Sequence, residues 1–309
     1  MTKSQAATSP TEHAGSPFTP ESTKNTLLKA CATAGLDPVN AELIRLGENA
    51  VYRLASPVIA RIGRTVAYAE DARKEVAVAR WLATEDFPAA RALPIEQPVI
   101  VDERVVTFWE SVSDAEDYGS PVEVGTLLAR LHALKPPTSL QLPPLDPFAR
   151  AERRIAGNDW LAPEDAAFLD GQLARLREDY AALTFELPQG PIHGDANVGN
   201  VIRDVAGRPV LIDLDGFATG PREWDLVLTA IYFERFGWHT TEEYNAYVEA
   251  YGFDVMRWAG YPALRDIREF LMVTWLSQKA DHDERVAAEV RKRISALRTG
   301  ASRRDWEPY

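Results

Sequence analysis

From residue 41 to 110 the apolar positions fall in short runs cut by polar turns. Segments 41–46, 50–55 and 57–63 read as three strands, the first two joined through Gly47-Glu48-Asn49. Segment 68–84 spaces Val76, Ala79, Arg80 and Ala83 at helical intervals and carries Glu75 near its first turn. Segment 97–110 alternates about Asp102-Glu103 as a hairpin, and Val106-Thr107-Phe108-Trp109-Glu110 at its end would be the connection to the second half of the chain. Further on the period becomes helical, at 122–134, 148–159, 164–183, 224–236, 241–251, 262–280 and 283–298, with one earlier helix at 22–34. Strands first and helices later is the order of an α+β chain.

One stretch breaks the helical half. HGDANVGN, residues 193–200, is punctuated by Gly194 and Gly199 and reads as a loop that runs into a strand at 200–203. A turn at Ala206-Gly207-Arg208 returns the chain as a strand at 210–214, so that hairpin geometry carries the Asp213 carboxylate beside the loop. Asp195 and Asn200 stand five positions apart. That is the spacing of a kinase catalytic loop, in which an Asp accepts the hydroxyl proton and an Asn binds metal, and an Asp at a strand end completes the metal site. Mg²⁺ prefers hard oxygen ligands and keeps several waters, which suits a carboxylate and an amide oxygen. Asp215, two residues on, has three open readings: an acceptor behind the ligands, an alternative ligand, or the start of a turn. Asp225 reads as a structural acceptor near a helix start.

The pairing of HGDANVGN with LIDLDGFATGPREWDL, residues 211–226, resembles the aminoglycoside phosphotransferase family of protein-kinase-like fold. Weaker similarity runs upstream through RLGENAVYRL, PVIARIG, RKEVAVARWL and GTLLARLHAL, so that the resemblance covers roughly residues 40 to 230. It implies a bilobal fold with a small β-rich N-terminal lobe and a larger helical C-terminal lobe. It also implies Asp195 as catalytic base, Asn200 and Asp213 as magnesium ligands, and His193 as a support for the loop. The domain division expected is a disordered tail at 1–20, a nucleotide-binding lobe at 21–110, and a helical lobe with the catalytic loop and acceptor site at 111–309.

The nucleotide half should come from the earlier strands. Gly47 and Asn49 lie in a turn that could cover ATP phosphates. Arg61 stands on the third strand where kinases place a phosphate-pairing lysine, with Glu75 as its expected ion-pair partner and Arg64 as the rival phosphate contact. Arginine in that place departs from the kinase pattern: it is larger and planar, though it can bind phosphate bidentately. By resemblance, adenine would stack near Phe108, Trp109 and Glu110 and bond their backbone. The acceptor would meet residues among Glu223, Trp224, Tyr232, Glu234, Trp275 and Asp281, a mix of carboxylates and aromatics suited to a polyhydroxylated amine.

Composition narrows the setting. The chain has 309 residues, 46% of them hydrophobic, enough for two lobes. A formal charge of −12, from 34 basic and 46 acidic residues, disfavours nucleic acid and anionic membrane and would draw cationic ligands. No apolar run approaches a membrane span. The lone Cys31 excludes an internal disulfide, fits a reducing cytoplasm and reads as packed. Five scattered histidines lack zinc-ligand spacing. No obligate protein partner is evident in the sequence.

The reading is an ATP- or GTP- and Mg²⁺-dependent kinase of a small-molecule hydroxyl. The acceptor would be an aminoglycoside-like or other antibiotic, which would make it a resistance enzyme, or else a sugar or amino alcohol. Two alternatives stand beside it: a phosphoesterase built on His193, Asp195, Asp213 and Asp215, and a catalytically silent nucleotide-binding protein.

Overall fold

The computed structural model describes residues 17–55, 57–113, 117–138 and 140–309. Most of the expected tail, residues 1–16, lies outside them; the remainder is structured, because Thr19 caps a helix that starts at Pro20. The chain divides into two compact units, one of Met1–Ala77 with Arg91–Ser111, the other of Val78–Ala90 with Val112–Tyr309. The division falls inside a helix, so it differs from a single cut near residue 110.

The first unit is a five-stranded antiparallel sheet, ordered β1-β2-β3-β5-β4, with a helix packed on it. α1 (Pro20–Ala34) begins with Pro at its first position and a reciprocal Thr19/Ser22 capping box. Its Leu27, Ala30 and Cys31 join Tyr52, Ala60, Ile62 and Phe108 in the core. Burial pushes the Cys31 thiol up to about 11. The strands are β1 (Glu42–Leu46), β2 (Asn49–Arg53), β3 (Val58–Gly63), β4 (Val99–Val101) and β5 (Arg104–Glu110). Asp102 and Glu103, both at positive φ, make the tight β4–β5 turn. α2 (Ala69–Thr84) follows β3 after one 3₁₀ turn.

The second unit is mainly helical: α3 (Pro121–Ala133), α4 (Ala149–Ala156), α5 (Pro163–Ala181), α6 (Glu223–Ile231), α7 (Thr241–Tyr251), α8 (Tyr261–Ser277) and α9 (Glu284–Thr299). A π-turn, Tyr232–Phe236, extends α6. Two small ribbons interrupt the helices: β7 (Val201–Arg203) with β8 (Pro209–Leu211), and β6 (Gln189–Ile192) with β9 (Ala218–Pro221). Every residue of α6 is buried, as expected of a helix through the middle of a core. Its two carboxylates are therefore enclosed, and each accepts from two backbone amides. Glu223 accepts from the Glu186 and Leu187 amides at 2.7 and 2.8 Å, just before β6, and Asp225 accepts from the His193 and Gly194 amides at 2.7 and 2.8 Å, just after it. The central helix thus clamps β6 at both ends.

Among the described residues no helix is long and apolar enough to cross a membrane.

Candidate active site

The loop 193–200 is held from below by Asp225. Besides the two amides, this buried carboxylate meets His132 Nε2 at 3.0 Å, and His132 Nδ1 meets the Tyr251 hydroxyl at 2.8 Å. Burial pushes the Asp225 carboxyl up, but the His132 hydrogen bond, the nearness of the His132 and His193 imidazoles and the donated amide together hold it below the usual carboxylate range.

Ile212 stitches the next segment to both ends of the loop. Its amide donates to the Asn200 carbonyl at 2.9 Å, and its carbonyl accepts from His193 Nε2 at 2.9 Å. The Asp195 amide donates to His193 Nδ1 at 3.3 Å, which places the ring proton on Nε2. His193 is fully enclosed, its ring edge-on to Phe217. Asp213 follows Ile212 directly. A left-handed backbone there, φ 59° and ψ 63°, turns the chain into a 3₁₀ turn at Leu214–Gly216. Asp is one of the few residues to tolerate that region, and such outliers gather at functional sites.

The return explains why two glycines face each other. A Cβ on Gly194, at φ +89°, would lie 2.3 Å from the Gly216 carbonyl oxygen, and one on Gly216 would lie 2.8 Å from the His193 carbonyl oxygen. Backbone meets backbone there, with no room for a side chain.

On the loop, Asn200 ends a short 3₁₀ turn rather than starting the strand. Its Nδ2 donates to the Asp195 carbonyl at 2.8 Å and to Asp195 Oδ2 at 3.3 Å. The Asp195 side chain is 54% exposed, so this carboxylate is open to a reactant. Its other oxygen, Oδ1, accepts from Arg268 Nη2 at 2.7 Å.

Several sequence expectations need correction. The strand expected at 210–214 stops at Leu211, because the chain must swing left after Ile212 to seat Gly216 on Gly194. Asp213 and Asp215 are therefore not alternate residues of one strand; Asp215 lies in the 3₁₀ turn, 3.5 Å from Arg150. Phe108 and Trp109 are inside β5, 0% and 4% exposed, rather than in a connection beyond it. The Phe108 amide donates to Gln97 Oε1 at 2.7 Å and its carbonyl accepts from Gln97 Nε2 and the Leu93 amide, so its backbone is already satisfied within the sheet. Trp109 is paired with Ile59 on one side and Ala92 on the other. Glu110, exposed at the end of β5, bonds the Arg91 carbonyl through its amide.

In the first unit Arg61 Nη1 meets Glu75 Oε1 at 2.5 Å, across β3 and α2, with Glu75 buried. Arg64 donates to the Gly47 carbonyl at 2.7 Å and so braces the β1–β2 turn, where Asn49 opens β2 opposite Gly63.

The six expected acceptor residues have different partners. Glu223 is 0% exposed and committed to backbone, which leaves no surface for an acceptor. Trp224 is likewise enclosed, its Nε1 on the Gly194 carbonyl at 2.8 Å, under the Arg268 guanidinium. Tyr232 is partly exposed and packs against Trp238 and His239; burial, with the Asp195 charge added, pushes its phenol above the usual range. Glu234 accepts from the Tyr261 hydroxyl at 2.8 Å with Arg265 at 3.6 Å. Trp275 carries Lys279 over its ring at 3.9 Å, and Asp281 sits on an exposed turn 3.6 Å from His282. Arg268, which holds Asp195 from α8, is not among the residues the sequence points to. Nothing local marks it, since its partner lies 73 residues away.

An exposed carboxylate on a glycine-punctuated loop, tied through Ile212 to the segment that carries a second carboxylate, has the order of groups that kinase catalytic loops use. The chain belongs to the phosphotransferase enzyme family, whose model matches residues 42–267. It is by class a phosphotransferase. Solved structures it is similar to include an amicoumacin kinase in complex with AMP-PNP, Ca²⁺ and Ami, 15% identical over 94% of this chain and 98% of that one, TM-score 0.70. A spectinomycin phosphotransferase in complex with ADP and spectinomycin is 15% identical over 88% of this chain and 93% of that one, TM-score 0.62. A choline kinase from Streptococcus pneumoniae is 14% identical over 89% and 99%, TM-score 0.62. At such identities the likeness establishes the fold alone. A probable ketoamine kinase from Lactiplantibacillus plantarum is 48% identical over 60 residues, which are 19% of this chain and 20% of that relative's length.

Proposed function

We propose that the protein is a cytoplasmic, ATP- and Mg²⁺-dependent O-phosphotransferase acting on a hydroxyl of a small molecule, an aminoglycoside-like or other antibiotic or a sugar or amino alcohol. Asp195 accepts the hydroxyl proton, Asn200 and Asp213 hold the metal, and Arg61, steadied by Glu75, pairs with the nucleotide phosphates. The observation that carries this reading is the pair of hydrogen bonds from Ile212 to the loop, since they tie the Asp213 segment to both Asn200 and His193.

The donor set fits the ion. The Asn200 amide nitrogen is spent on Asp195, which leaves its oxygen as the metal-binding atom, and Asp213 offers a carboxylate. Two hard oxygens, completed by water and phosphate, suit Mg²⁺. When bound, the ion neutralises phosphate charge during transfer. Two similar structures are complexes with AMP-PNP or ADP, which supports a nucleotide donor.

ADP release measured over a panel of aminoglycosides, other antibiotics, sugars and amino alcohols tests the proposal. Asp195→Asn is expected to lose about 100-fold or more in kcat, the contribution typical of a positioned base. Equal turnover by the two proteins would remove Asp195 from the chemistry.

A further inference from the structure

We propose that Arg268 is the positioning residue of the base: it fixes the Asp195 carboxylate through Oδ1 and so assigns Oδ2 as the oxygen that takes the acceptor's proton, an inference that rests on the kinase reading above. Arg268 projects from α8 and is only 7% exposed. Nη2 donates to Asp195 Oδ1 at 2.7 Å and Nη1 to the Gly194 carbonyl at 3.2 Å, so one planar guanidinium holds both the side chain and the backbone of the loop. The Trp224 ring lies 4.7 Å beneath that guanidinium and donates its own Nε1–H to the same Gly194 carbonyl. A buried arginine is costly without a partner, and here the partner is the group that does the chemistry.

An exposed carboxylate on a loop would otherwise turn freely about its last torsion. With Oδ1 held at 2.7 Å, the longer 3.3 Å contact from Asn200 is what remains on Oδ2. An arriving hydroxyl can displace that weak contact. Its proton passes to Oδ2 as its oxygen bonds the γ-phosphorus and the bond from that phosphorus to the ADP oxygen breaks; the proton then leaves to water. Phosphoryl transfer has a loose transition state, so aiming the nucleophile matters more than the strength of the base.

The test needs no identified acceptor, since ADP release with water as acceptor can be followed alongside the panel. Arg268→Ala is expected to lose about 100-fold in kcat with nucleotide KM changed less than about threefold, and added guanidinium at non-denaturing concentration to restore about tenfold. Arg268→Lys keeps a charge but not the two-pronged grip, and should fold normally with kcat down about tenfold. Full kcat in either variant, or a loss in a normally melting Arg268→Ala that guanidinium leaves untouched, would overturn the assignment. Should Arg268→Ala not fold, the Lys variant decides alone. A wild type that releases no ADP, or whose release survives Asp195→Asn, counts against the kinase reading instead.

Discussion

Asn200 donates its side-chain amide to both the main-chain carbonyl and the carboxylate of Asp195, at 2.8 and 3.3 Å. One amide thereby shapes the loop, and its oxygen is the atom we propose for the cation. Asn200→Ala should therefore act twice. We expect kcat to fall and the Mg²⁺ concentration for half-maximal rate to rise about 10- to 100-fold, the scale on which metal sites respond to loss of a supporting group. A magnesium titration of ADP release checks this, and an unchanged midpoint would take Asn200 out of the metal site.

Asp225 is the anchor under that loop, and its loss should register in stability before it registers in chemistry. Removing it orphans two buried amides and His132, so Asp225→Ala should cost about 3 kcal/mol, read from denaturant unfolding. The pH dependence has a definite sign. The folded carboxyl is held below its unfolded value of about 3.9, so its stabilisation is present above that pH and lost as pH falls through the lower folded value. Asp225→Asn should therefore unfold with a shallower acid limb below about pH 4 than wild type. Superimposable acid limbs would contradict this.

The contact between Gly194 and Gly216 can be separated from the general cost of positive φ. Gly207, at φ +74° in the β7–β8 turn, has open space where a Cβ would go, whereas a Cβ on Gly194 would strike the Gly216 carbonyl oxygen at 2.3 Å. Gly207→Ala should cost about 1 kcal/mol, the ordinary left-handed penalty. Gly194→Ala should cost several times that, or misplace Asp213, and lose ADP release. Thermal melts of the two variants side by side make the comparison. Equal melting shifts with activity retained would show the close approach to be relaxed.

Arg61 and Arg64 are distinguished by their partners. Arg61 is paired with the buried Glu75, while Arg64 braces a turn carbonyl. Arg61→Ala and Glu75→Gln should both raise nucleotide KM, by about tenfold for Arg61, and Arg64→Ala by less than about threefold. Nucleotide titrations of the three proteins check the order. A larger effect at Arg64 would reverse the assignment.

Short-range rules govern everything that could be read along the chain. The β1–β3 and β4–β5 turns, the helix bounds to within a few residues, and the five-residue spacing of Asp195 and Asn200 follow from neighbours in the chain. The continuous apolar run before Asp213 could not say where its strand ends, because apolar periodicity carries no information on where a ladder stops. Nor could β5 be told from the connection after it, since Gln97 satisfies the Phe108 backbone from eleven residues away. Long-range packing alone turns Glu223 and Trp224 to the interior, brings Asp225 onto His193 and Gly194 across 32 and 31 residues, and carries Arg268 to Asp195 across 73. Those bonds exist because α6 and α8 pack together with the loop, and a buried polar group must find a partner wherever the fold brings one within reach.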